Sequence, residues 1–276
     1  AIDSLIADSQ TDRNLILGVG MGLSGLVDFE TGVNVLAPNL NWRHVPVKEV
    51  MTSRLGMPIV ADNNVRCMAL GEAYFGIGRG LSSLAFVYGR IGVGAGFIYQ
   101  GQVFRGSSMG AGEIGHTTLL LRDGEPCRCG KTGCLETLVS ETAFLSQAQE
   151  ITRCDPEGIL AGVMKANPNQ NLMDNIVEAA RRGDDTVRGM LADRAYYLGI
   201  ALANMVDLYN PEMIILGGLF TQAGDYFIDP LKDTVRKMSF GDLGKEVRIE
   251  ATDFGWKAGV IGAAALALTH LFYLSE

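Results

Sequence analysis

Short runs of consecutive apolar residues alternate along the chain with longer stretches whose apolar positions recur every three or four. Residues 15–36, "LILGVGMGLSGLVDFETGVNVL", place two apolar runs around glycine turns, and "FETG" reads as a hairpin tip. "PVKEVMTSRLG" has helical spacing and ends on glycine. "MPIVADNN" predicts a buried strand entering a polar loop, and "VRCMALGEAYFG" continues as a helix. "LSSLAFVYGRIGVGAGFIYQGQVF" predicts strand, glycine turn, strand. "ETAFLSQAQEIT", "NLMDNIVEAARRG" and the long "DDTVRGMLADRAYYLGIALANMVDLYN" predict amphipathic helices. "PEMIILGGLF" predicts a short buried strand closed by a Gly-Gly turn. A further helix, the strand "EVRIEAT" and an Ala-rich terminal helix complete the pattern. Alternating strands and helices place the chain in the α/β class. It has no short repeat and no low-complexity linker, so any second domain is joined by close crossovers.

Composition narrows this picture. A chain of 276 residues, 47% hydrophobic, is long enough for one large domain or two ordinary ones. The formal net charge of −8 repels phosphate backbones, so this chain alone is a poor candidate for binding nucleic acid. Its longest apolar stretch, "AGVIGAAALALTHLFYL", is interrupted by His270 and falls short of the roughly 18 residues of a membrane span. A core helix is expected there, and no membrane association. The first residue is Ala1, and "AIDSLIADSQTDRN" has no basic segment followed by an apolar one, so it is not a signal peptide. A natural chain extending upstream of Ala1 is the expectation. Five cysteines, three of them within eight residues, point to thiol chemistry in a reducing, cytoplasmic compartment rather than to a disulfide framework.

The candidate chemistry concentrates in "EIGHTTLLLRDGEPCRCGKTGCLE", residues 113–136. His116, Cys127, Cys129 and Cys134 have the residue types and spacing of a closed, tetrahedral, structural zinc site. The alternative is a loop with three free thiols and an unrelated histidine. A Cys127–Cys129 disulfide would close a strained ring. Glu113 lies three residues before His116, and Glu136 two beyond Cys134. A metal would fix both carboxylates on one rigid loop and leave the second imidazole nitrogen as a donor, a cradle suited to the vicinal hydroxyls of a sugar. Solvated loop charges are the competing reading of the two glutamates. Trp42 is either a sugar-stacking or a core residue, and His270 reads as a core histidine.

This stretch, with "GVGMGLSGLVD", "PNLNW", "DNNVRCMALGEAYFG", "GVGAG" and "IILGG", resembles the ROK family of bacterial sugar kinases and sugar-responsive transcriptional repressors. The resemblance implies a two-lobed actin-like ATPase (ribonuclease H-like) fold with a zinc-binding loop and sugar held between the lobes. The small lobe would comprise residues 1–78 and 255–276, with its first strands missing. The large lobe would comprise 79–254 and carry the zinc loop 113–136. Carried over by position, the sugar-contacting residues are Gly25, Asn39, Asn63, Asn64, Glu113, His116 and Glu136, with His116 also a zinc ligand beside Cys127, Cys129 and Cys134.

The chain departs from the family's kinases at two places. Those kinases resemble Glu-Asn-Asp-Ala-Asn before the "LGE" helix, and the Asp is the general base. Here the run is Asp62-Asn63-Asn64-Val65-Arg66, with Asn64 in the base position. An amide cannot take a proton from a hydroxyl, and loss of a general base costs roughly 10²–10⁴ in rate. Only a local slip of register would bring Asp62 there. The kinases' Gly-Thr-Gly phosphate turn is replaced by Arg90-Ile91-Gly92, although Gly92 and Gly94 persist, as do Gly217 and Gly218 of an adenosine-side turn. The resemblance therefore implies a non-catalytic, sugar-sensing and dimerising effector domain of a transcriptional regulator. Its operator DNA would be bound by a helix-turn-helix upstream of this chain, and it would form a homodimer or tetramer, with residues 186–209 a candidate dimer element. The alternative is an active sugar kinase using ATP and Mg²⁺.

Overall fold

The computed structural model describes residues 2–273. Helix α1 (Ile2–Asp8) leads into strands β1 (Val19–Leu23), β2 (Leu26–Asp28), β3 (Val33–Ala37) and β4 (Trp42–Val45). Next come α2 (Val47–Leu55), β5 (Ile59–Asn63), α3 (Asn64–Phe75), β6 (Ser83–Gly89), β7 (Val93–Tyr99) and β8 (Gln102–Phe104). Helices α4 (Glu136–Val139), α5 (Glu141–Cys154), α6 (Ile159–Ala166), α7 (Leu172–Arg181) and α8 (Asp185–Tyr209) follow. The chain closes with β9 (Met213–Gly218), α9 (Asp225–Met238), α10 (Leu243–Glu246), β10 (Arg248–Ala251) and α11 (Ala258–Leu268).

Three sheets result. β1 and β5 pair in parallel, Val19 opposite Ile59 through Leu23 opposite Asn63. β2, β3 and β4 form an antiparallel sheet whose first turn is the expected "FETG" tip. The largest sheet has the order β10-β9-β6-β7-β8. Its β10/β9 and β9/β6 pairs are parallel, and β6/β7 and β7/β8 are antiparallel.

The strands of the large sheet read as near-continuous apolar runs because both faces are covered. On one side Ala85, Val87, Ile214 and Leu216 join the core built by α5 to α9. On the other, Leu84, Phe86, Met213 and Ile215 pack with Val65, Cys67 and Met68 of α3 and Ala258, Ala265 and Leu266 of α11. α3 and α11 pack closely against each other, and both also contact β1 and β5. They form the layer joining the two-stranded sheet to the five-stranded one.

The segment Gly255–Phe272 is long and apolar enough, by composition alone, to cross a membrane. Here Ala258, Gly262, Ala265 and Leu266 press into that shared layer, while Val260 and Phe272 stay exposed. Five elements went unread in the periodicity: α1, β4, α4, α10 and α6, the last of which buries only Leu160 and Val163.

Candidate functional site

The cysteine loop is a compact hairpin. Thr118 bridges Cys134, Pro126 bridges Thr132, and the Cys127 amide donates to the Lys131 carbonyl at 2.7 Å. Gly133 turns the chain back in the left-handed region (φ 69°), where a Cβ would stand 1.9 Å from the Leu120 carbonyl. The Lys131 ammonium donates to the His116 carbonyl, tying the hairpin to the "EIGH" segment.

These turns gather one ligand atom each from His116, Cys127, Cys129 and Cys134, all within 4.8 Å of one another. His116 Nδ1 lies 3.6 Å from Cys127 Sγ, and Cys129 Sγ lies 3.7 Å from Cys134 Sγ. A tetrahedral ion with metal–sulfur and metal–nitrogen bonds of about 2.3 and 2.0–2.1 Å separates its ligands by about 3.8 Å (S···S) and 3.6 Å (S···N). The set therefore fits a tetrahedral cation. Burial, reinforced by the neighbouring thiols, pushes the Cys134 thiol up to about 12, and a bound cation would favour its thiolate form.

A cavity of about 590 Å³ lies beside this knot. Its lining includes Gly25, Asn39, Asn63, Asn64, Gly92, Gly94, Glu113 and Glu136, which come from six separate places in the chain. Glu113 is brought in by Gly112 (φ 99°). Gly112 lies against β7, where a Cβ would stand 1.9 Å from the Ala95 carbonyl, and Ala95 N–H donates to its carbonyl at 2.7 Å. Desolvation by the surrounding cavity wall raises the carboxyl of Glu113, an exposed residue, above its ordinary range, opposed by His116 and Arg66. Glu136, buried at the start of α4, accepts from Val93 N–H at 3.1 Å. A Cβ on Gly92 would stand 2.7 Å from Glu136 Oε2, so any larger residue there would have to push the Glu136 carboxylate aside.

Asn63 is partly occupied. Its Oδ1 caps α3, accepting from Val65 N–H (2.8 Å) and Arg66 N–H (3.2 Å), while Nδ2 donates to the Gly25 carbonyl at 2.9 Å. One amide hydrogen remains for a ligand. Asn64, the first residue of α3, lines the cavity.

Four of the residues singled out in the sequence lie off this cavity. His116 turns Nδ1 into the cysteine cluster and is not among the lining residues. Gly217 and Gly218 do not line the cavity either. They pack on Phe86, Tyr88 and the Gly89 carbonyl, as a close strand-end turn requires. Trp42, on β4, is half-buried and also off the cavity.

Asp62 is not free to replace Asn64. It is 1% exposed. Oδ1 stands 2.8 Å from Arg66 Nε and accepts from Asn63 N–H at 2.7 Å, and Oδ2 accepts from Arg105 Nε at 2.8 Å. Arg66, itself 2% exposed, donates on to the Met109 and Val27 carbonyls. The Arg105 guanidinium covers the Phe29 ring at 3.8 Å. This ionic triad ties β2, β5 and α3 to the 105–112 loop that delivers Glu113. Asp62, on β5, and Arg66, in the first turn of α3, are only four residues apart in the chain. Arg105 is 43 residues from Asp62, and only the fold reveals that contact.

The ROK family model matches residues 1–270, and the chain belongs to the ROK family. It is 33% identical over 261 residues to a xylose repressor of Caldicellulosiruptor bescii, covering 95% of this chain and 65% of the repressor. The chain thus spans just under two thirds of that relative's length. A ROK family glucokinase from Streptomyces griseus, solved with glucose and AMPPNP, superposes with a TM-score of 0.82 at 30% identity, covering 97% of this chain and 87% of the kinase. A ROK family transcriptional regulator, homolog of the E. coli MLC protein, superposes with a TM-score of 0.84 at 27% identity, covering 96% of this chain and 65% of the regulator. The fold is the mixed α/β fold of these structures, and relatives of both repressor and kinase type share it.

Proposed function

We propose that this chain is the sugar-sensing effector domain of a ROK-type transcriptional regulator, holding a carbohydrate without phosphorylating it. The observation that carries the reading is the pair of residues at the end of β5. Asn64 presents an amide to the cavity, and the acid two positions before it is locked between two guanidiniums. Neither can accept a hydroxyl proton there. The Arg90-Ile91-Gly92 turn at the cavity also lacks the hydroxyl and the small first residue of a Gly-Thr-Gly phosphate turn.

Glu113, Glu136, Asn39 and the free N–H of Asn63 supply acceptors and donors for sugar hydroxyls. His116, Cys127, Cys129 and Cys134 would hold zinc, which stiffens the loop and fixes the imidazole tautomer. The actin-like fold supplies two lobes whose relative pose a ligand can bias, and only by as much as its affinities for the two poses differ. Operator DNA would be met by a segment outside this chain, in a cytoplasmic homo-oligomer. α8 buries most of its apolar side chains within its own chain, leaving Tyr196 and Leu208 exposed for a partner.

The second reading, a sugar kinase using ATP and Mg²⁺, is favoured by the 30% identity to the glucose-bound glucokinase. Titrating glucose and xylose into the zinc-loaded chain with ATP and Mg²⁺ present, and assaying for ADP, decides between them.

A further inference from the structure

The loop "RGSSMGAG", residues 105–112 after β8, delivers Glu113 to the cavity, yet it has little apolar surface to hold it down. Three of its residues are glycine and two are exposed serines. Gly106, Met109 and Gly112 lie in the left-handed region, at φ 72°, 58° and 99°. Met109 carries a side chain there, a conformation that persists only where surrounding contacts impose it. Ala111 N–H donates to the Arg105 carbonyl at 3.1 Å, a bond that fixes the loop's shape but not its place.

Contacts with other elements set the place. At one end, Ala95 N–H donates to the Gly112 carbonyl at 2.7 Å. At the other, Arg105 Nε donates to Asp62 Oδ2 at 2.8 Å, with its guanidinium on the Phe29 ring. Between them, Arg66 Nη1 donates to the Met109 carbonyl at 2.7 Å. These two arginines converge on one buried group, since the Asp62 and Arg66 side chains are 1% and 2% exposed and stand 2.8 Å apart. The same pair fixes another part of the cavity lining. Asp62 Oδ1 accepts from Asn63 N–H at 2.7 Å, and Asn63 Oδ1 accepts from Arg66 N–H at 3.2 Å.

One ion cluster therefore sets the register between Asn63 and the loop that bears Glu113. Its bonds are charge-assisted, the kind that is short and strong. Two guanidiniums outweigh one carboxylate, and the charge on Arg66 favours the ionised form of Glu113. Neither arginine lines the cavity.

Resting on the sugar-sensing reading, we propose that Arg66 and Arg105 are positioning residues of the carbohydrate site, which fix Glu113 relative to Asn63 without touching the ligand. Arg105, whose side chain is 18% exposed, is the point at which the loop can be released. A loop fixed beforehand spares the ligand the cost of ordering it, so part of the site's affinity is set outside the cavity.

Hydrogen exchange read by mass spectrometry tests this without any ligand. In Arg105→Gln the amides of residues 106–113 should exchange roughly tenfold faster than in the unaltered chain, while those of α8 keep their rates. Arg105→Lys, which keeps a charge beside Asp62, should recover part of the protection. Calorimetric titration with glucose and xylose tests the consequence. Arg105→Gln should weaken binding roughly tenfold, and that loss should vanish in a Glu113→Gln background. It should persist in a Glu136→Gln background, because Glu136 is held by Val93 N–H and not by the loop. Unchanged exchange in Arg105→Gln overturns the proposal, and so does an equal loss of affinity in both backgrounds, the mark of general destabilisation. Binding of neither sugar by the unaltered chain at millimolar concentration removes the sugar-sensing reading. Faster exchange of 106–113 would then still support the placing of the loop by the arginines, and unchanged exchange would overturn both.

Discussion

Asp62 shows how a single side chain can be withdrawn from chemistry by its neighbours. Two guanidiniums and one backbone N–H take up its lone pairs while the fold excludes water from it. Removing one partner of such a group leaves buried charge uncompensated, at a cost of about 3–5 kcal/mol. Asp62→Asn should therefore lower the urea midpoint by a corresponding amount, and an unchanged midpoint would contradict the triad. Glu72, of the "LGE" motif, is buried at the other end of α3. Its carboxylate accepts from the Thr252 hydroxyl and from Ile77 N–H at 3.1 Å. Burial is the larger influence and raises its carboxyl above the ordinary value, against those two hydrogen bonds. The folded chain thus holds this proton more tightly than the unfolded chain. Stability from this group is full below the unfolded value of about 4.3 and is lost as pH rises through the raised folded value. Glu72→Gln lacks that loss. Its melting temperature relative to the unaltered protein should climb between pH 4 and pH 7, and a pH-independent difference would count against the assignment.

At the scale of elements, the cysteine hairpin is the piece whose order would depend on an ion under the proposed reading. Few apolar side chains hold it, and its cluster fits a tetrahedral cation. Metal binding and local folding are then coupled. One zinc per chain is expected by elemental analysis. Chelation should lower the melting point by several degrees and make Cys127 and Cys134, both buried, reactive to alkylation. Metal-free protein with an unchanged melting point and protected thiols would contradict this. The same scale explains what was legible in the sequence. β5–α3, β6, β7 and α8 carry clear periodicity and emerged where expected, while the short β8 was not separated from β7. The His-Cys cluster was legible because Cys127-x-Cys129 and Cys134 are close in sequence. The β1–β5 pairing was not, because forty residues separate Val19 from Ile59 and no local pattern encodes it. Arg128, which lines the cavity, was overlooked although it sits between two of the cysteines, since a charged loop residue has no signal of direction until the hairpin is built.

For the whole molecule, the arrangement of layers decides what the cavity can do. α3 and α11 bind the small parallel sheet to the large one, and the Asp62 triad links that layer to the loop bearing Glu113. Under the proposed function, a sugar held between Asn63–Asn64 and Glu113–Glu136 would touch several separate elements, and its binding energy could favour one pose of the chain over another. The ROK membership leaves sensing and phosphorylation both open, and the proposed reading rests on position 64. The most direct measurement is the power trace when glucose or xylose is injected into zinc-loaded protein containing ATP and Mg²⁺. Injection heats that saturate at one ligand per chain, with the baseline restored and no ADP formed, are predicted. A sustained deflection that scales with protein concentration and generates ADP would contradict the account.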